Sequence, residues 1–250
     1  MNEKDDFDLD AVCVLNKFDI HKFSQKSAKE MVGYEINKYV KKHNFKKEAT
    51  EGKRCWTMEY AESAQFHMDI LPAIPDKIGF VRLLEERKVA FDSSDPYMKY
   101  ALAITDNTNG NYPIVDTNWP RSNPKGFHEW FKKRLIVKKT AYDERLKMAF
   151  EHVEDIPDNS ITSPLQKAIM ILKRHRDILF QDDKEDKPIS IIITTLAATA
   201  YQGEDNIHDA LITILSELDN IPTKDGMHYV TNPVNPLENF ADKWENLLSE

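Results

Sequence analysis

The chain has 250 residues, a formal net charge of -8 and a pI near 5.6. That balance argues against a protein that coats nucleic acid through a broadly basic surface, although a basic cleft in an acidic protein remains compatible with it. Only Cys13 and Cys55 are present, and no apolar run is long enough to span a bilayer, so we expect no disulfide framework, no membrane segment and a cytoplasmic address.

A polar lead over residues 1–6 precedes Phe7, then Asp8-Leu9-Asp10 and the apolar run from Ala11 to Leu15. Side chains two apart on a strand point the same way, so Asp8 and Asp10 are expected side by side on one face, with Leu9 in the core. Two such carboxylates suit a divalent cation. Alone, the pair reads equally well as a solvated acidic turn before a core strand.

From Ile20 to Asn44, Phe23, Ala28, Met31, Val32, Ile36 and Val40 recur at helical spacing ahead of a lysine-rich tail. Arg54–Tyr60 and Gln65–Ile74 then read as an antiparallel strand pair around the turn 61–64, with Pro72 and Pro75 ending the second strand. That strand carries Asp69, a third carboxylate expected to meet Asp8 and Asp10. The polar stretch from Asp92 to Pro124 reads as a long loop with a short strand over Tyr100–Ile104. Asn123-Pro124 has the form of a helix start, with Phe127, Trp130 and Phe131 following on one side.

A second lobe is expected from Ala141 onward, all of it helical. Ser163-Pro164 starts a helix to about Phe180 with an apolar stripe of Leu165, Ala168, Ile169, Leu172, Ile178 and Leu179, off which Lys173 lies. The run Pro188–Tyr201 is β-branched, yet its length and the helical spacing of Ile189, Ile192, Ile193, Leu196 and Ala200 favour a helix. Asp205–Leu218 is a further helix, and Asn232–Pro236 a turn-rich connector into a short terminal helix holding Trp244. We expect Trp119, Trp130 and Trp244 to pack in cores rather than stack on bases.

Taken in order, Asp8-x-Asp10, Phe66-x-x-Asp69-x-x-Pro72, Ser122-Asn-Pro-x-Gly126 with Trp130-Phe131, Leu172-Lys-Arg-His-Arg-Asp177 and Lys187-Pro-Ile-Ser-Ile-Ile-Ile-Thr-Thr-Leu196 closely resemble the bacterial CD-NTases. These are the cyclic-oligonucleotide synthases of CBASS anti-phage systems, related to animal cGAS. The resemblance runs from about Asp6 to Trp244.

It implies an α+β fold, with a polymerase-β-like nucleotidyltransferase core over residues 1–140 and a helical nucleotide-binding lobe over 141–250. It also implies a cyclic di- or trinucleotide made from NTPs in a cleft between the two, and CBASS accessory or effector proteins as partners. Asp8, Asp10 and Asp69 match the catalytic triad holding two Mg²⁺ ions, with Mn²⁺ as the alternative ion, and Asp69 nearest the attacking ribose hydroxyl. Lys173 and Ser190 match the positions that hold the donor triphosphate. Their plain alternatives are a solvated helix lysine paired with Asp177 and a helix-start serine. His175 reads as a hydrogen-bonding group between lobes.

Family members carry a Gly-Ser loop upstream of the first aspartate pair, and this chain begins after that point. We therefore expect little synthase activity from it, an uncovered apolar face on the first strand, and a Gly-Ser pair encoded in frame upstream of Met1. Two further readings stay open: a catalytically silent nucleotide-binding or partner-docking module, and a template-independent RNA nucleotidyltransferase, which would want a basic track.

Overall fold

The computed structural model describes residues 7–60, 66–92, 94–135, 163–183, 187–218, 220–224 and 227–242, with the side chains of Phe7, Asp8, Lys224 and Met227 outside that description. The chain divides into two compact units, residues 1–88 with 92–124 and residues 89–91 with 125–250. The expected division near residue 140 thus falls at Pro124. The helix that opens there (α3, described over 124–135) sends Trp130, Phe131 and Leu135 against the core of the second unit.

The first unit is a mixed sheet with strands β1 (Phe7–Val14), β2 (Thr50–Glu51), β3 (Trp56–Glu59), β4 (Phe66–Pro75), β5 (Leu102–Ile104) and β6 (Arg121–Ser122). The order is β2-β3-β4-β5-β6, with β1 added parallel to β4 and the other pairings antiparallel. Contrary to expectation, Pro72 does not end its strand. It falls between Ile70, where β3 stops pairing with β4, and Ala73, where β5 takes over, so no ladder bond is asked of its missing N–H there.

Helix α1 (Gln25–Lys42) covers one face of this sheet. It starts later than the expected Ile20 because the Ser24 hydroxyl caps it, accepting from Ser27 N–H, while Ile20 packs with Ile74, Ala103 and Trp119. Its buried row of Val32, Ile36 and Val40 meets Met58, Met68, Ile70, Trp56 and Cys13. Gly33 permits the closest approach: a Cβ there would lie 2.2 Å from the Trp56 indole, whose Nε1 donates to the Lys29 carbonyl at 2.9 Å. Leu9, expected in the core, is 45% exposed, because β1 is laid against β4 at the margin of the sheet.

A helix not expected from the sequence, α2 (Lys77–Glu86), follows β4 directly. The Asp76 carboxylate caps it by accepting from Gly79 N–H, and Phe80 and Leu84 are buried. Asp76 also pairs with Arg121 at 2.6 Å, both side chains being nearly buried.

Helices dominate the second unit: α4 (Pro164–Leu179), α5 (Ser190–Ala200) and α6 (Ile207–Leu218). Ser163 and Gln166 form a reciprocal capping box at the start of α4. Leu165, Ala168 and Ile169 pack on Ala197, Ala198, Ala210 and Ile214, so the β-branched run at 190–194 is helical because its small residues further on let helices close together. Ile178 and Leu179, expected in the stripe, are 55% and 67% exposed at the end of α4.

The unit is not all helical. Two short strand pairs, β7 (Thr223–Lys224) with β8 (Met227–His228) and β9 (Thr231–Asn232) with β10 (Asn235–Asn239), replace the expected connector. Asparagine side chains drive this: Asn232 Oδ1 accepts from Val234 N–H, and Asn239 Oδ1 accepts from the N–H groups of Val230 and Ala241. Val230 and Ala241 then bury against Ile192. The predicted turn at 61–64, the start of the second lobe at Ala141 and the terminal helix with Trp244 lie outside the described residues. Among the described residues, no helix is long and apolar enough to cross a membrane.

Candidate active site

The carboxylates of the first unit are brought together by register. β1 runs parallel to β4 with Asp10 opposite Asp69, and β3 runs antiparallel to β4 with Thr57 opposite Asp69. Met68, Ile70, Met58 and Cys13 point into the α1 interface. By strand alternation, Asp10, Asp69 and Thr57 therefore form one row across the other face of the sheet. Asp8 stands two positions before Asp10 on the same strand, opposite His67.

Thr57 was not among the expected site residues. Its Oγ1 donates to Asp69 Oδ1 at 2.5 Å, a hydrogen bond to a charged acceptor that fixes the carboxylate rotamer. The alternation Cys55-x-Thr57 on a strand could have suggested it, but only once the register with β4 was known. Asp10 is exposed and Asp69 half-buried. Their charges act over the same ground: the Cys55 thiol pKa is pushed up first by burial, then by Asp69 and Asp10. Among the described residues, no group of three His, Cys, Asp or Glu side chains surrounds one point. Two in-register carboxylates, with a third acid two residues along, make an oxygen donor set whose chemistry fits Mg²⁺.

The turn leading into β3 is held from below. Lys29, fully buried, donates its ammonium to the carbonyls of Gly52 (2.6 Å) and Lys53 (2.9 Å) and pairs with Glu51 at 3.2 Å. Arg54 Nε donates to Asp106 Oδ2 at 3.1 Å, and Thr108 donates to Oδ1 through its N–H and hydroxyl. Burial alone would raise the Asp106 pKa, yet the Thr108 bonds, Arg54 and Lys53 together lower it.

In the second unit, Lys173 lies on α4 and Ser190 is the first residue of α5. Lys173 is half-buried, and its pKa is lowered by that burial and by the neighbouring Arg176. Asp177, the expected partner of a solvated lysine, instead pairs with Arg176 at 2.6 Å and Lys187 at 2.8 Å. Arg176 reaches Ser190 Oγ at 3.0 Å, a contact that helical spacing did not reveal. His175 is exposed. Trp119 is buried as expected, and Trp130 packs on the second unit's core with Arg134 over its ring.

No protein-family model matches the sequence. A c-di-GMP synthase of Roseivirga ehrenbergii is 29% identical over 96% of this chain and 56% of its own length. The cyclic dinucleotide synthase CdnG of Bradyrhizobium diazoefficiens is 23% identical over 76% of this chain and 44% of its own. The chain thus spans about half the length of these curated relatives. The solved structure of the B. diazoefficiens CD-NTase CdnG in complex with GTP matches with a TM-score of 0.58 at 20% identity, covering 96% of this chain and 65% of that one. Its fold is the polymerase-β-like one expected for the core.

Proposed function

We propose that the chain is a member of the bacterial CD-NTases it resembles and that it joins nucleoside triphosphates into a cyclic dinucleotide. One observation carries the reading: Asp10 and Asp69 stand in register on adjacent parallel strands, with Asp8 two residues upstream. Asp8, Asp10 and Asp69 would hold two Mg²⁺ ions, or Mn²⁺, which when bound neutralise triphosphate charge and activate an attacking ribose hydroxyl.

Asp69 is the carboxylate assigned nearest that hydroxyl, one of its oxygens being committed to Thr57. Lys173 and Ser190 bind the donor triphosphate, one as a charge and one as a hydroxyl donor. Guanine nucleotides are the first substrates to test, since one relative is a c-di-GMP synthase and another was solved with GTP. We assign the product to anti-phage signalling, as in the CBASS systems the sequence resembles, and the protein to the cytoplasm, where its two free thiols, Cys13 and Cys55, stay reduced.

The test is calorimetric binding of GTP and ATP to this chain with and without Mg²⁺, together with mass analysis of any product. Mg²⁺-dependent binding that is lost in Asp10→Asn and Asp69→Asn is the expected result. Binding indifferent to both substitutions, or nucleotide addition to an RNA end, would overturn it.

A further inference from the structure

The start of α5 is built in an unusual way. Its N-cap position is held by Ile189, whose side chain cannot accept a hydrogen bond, and no side chain caps the helix. The neighbouring guanidinium of Arg176 nevertheless comes to the first helical residue. Arg176 Nη1 donates to the Pro188 carbonyl at 2.9 Å and to Ser190 Oγ at 3.0 Å. Its Nε and Nη2 both donate to Asp177 Oδ1, at 3.0 and 2.6 Å. Asp177 Oδ1 is held in turn by Lys187 at 2.8 Å, so the fork is fixed from both sides.

A guanidinium has only donors. Where it meets a hydroxyl, the oxygen must accept, and the hydroxyl's own proton is left to point elsewhere. Ser190 is thereby polarised as a donor at a helix start whose dipole and N–H groups favour an anion. Half-buried Lys173 lies one turn before Arg176 on α4, and the two like charges disfavour one another until an anion joins them.

We propose that Arg176 is a positioning residue, which sets Ser190 as a hydrogen-bond donor to the triphosphate of a bound nucleotide. The inference rests on the reading of Lys173 and Ser190 as the triphosphate site. Arg176 acts on the nucleotide through Ser190, so its effect vanishes when the hydroxyl is gone.

That dependence defines the experiment, a double-mutant cycle read as the ratio of ATP to AMP affinity in Mg²⁺ by calorimetry. Ser190→Ala and Arg176→Met should each reduce the ATP preference by roughly tenfold, the scale of one hydrogen bond to a charged acceptor. The double variant should be no worse than either single one. An unchanged preference in Arg176→Met, or a double variant that loses the product of both factors, overturns the role of Arg176 alone. If Ser190→Ala and Lys173→Ala both keep the wild-type preference, the triphosphate site itself is misassigned and this inference falls with it. Should Arg176→Met fail to fold, Arg176→Lys carries the same cycle, because it keeps a charge beside Asp177 but lacks the fork that spans Pro188 and Ser190.

Discussion

Asp10 and Asp69 face each other across adjacent parallel strands, with Thr57 completing the row from the antiparallel side. Like charges placed directly opposite on a sheet repel, so this arrangement costs folding energy that a cation would recover. Asp10→Asn should therefore raise stability by a few tenths to about 1 kcal/mol without metal. The same variant should lose Mn²⁺ binding. Urea denaturation and the paramagnetic signal of free Mn²⁺ measure the two effects separately.

Thr57→Val tests the hydroxyl that holds Asp69. Valine suits a strand, so the fold should survive with a loss of about 1 kcal/mol, while Mn²⁺ affinity falls several-fold. Thr57→Ser, which retains the donor, should restore the affinity. Equal Mn²⁺ binding by the valine variant and wild type would show that the bond to Asp69 is without consequence.

Lys29 presents the opposite balance, a buried cation with its needs met by two carbonyls and Glu51. Lys29→Met keeps the length but leaves the Gly52 and Lys53 carbonyls without their donor, which should cost about 3 kcal/mol. The loss should appear in the denaturation midpoint and in faster amide exchange in the turn before β3.

Asp106 should give the first unit an acid-sensitive component. Its pKa is lowered in the folded state, so its contribution is fully present above the unfolded carboxylate value of about 4 and is lost as pH falls through the lower folded value. Asp106→Asn turns an amide toward Arg54 and should be less stable than wild type at neutral pH. That difference should shrink toward pH 3 when unfolding is followed across the range.

Short-range signals carried much of this molecule. The helix start at Ser163-Pro164, the helical spacing within 190–200 and the alternation around Asp8-x-Asp10 and Asp69 each depend on a few neighbouring residues, and each is legible without knowing the fold. The order of motifs along the chain likewise carried its resemblance to the CD-NTases. What only the tertiary structure decided involves residues far apart in sequence. Strand propensity is the same in any register, so nothing local could place Thr57 rather than its neighbours opposite Asp69, or carry β4 past Pro72 by changing its partner. Arg176 looked like one more polar residue off an apolar stripe, because its role comes from the chain returning at Ser190. The unit boundary at Pro124 was hidden for the same reason: the aromatics of α3 could pack on either unit until α4 closed against them.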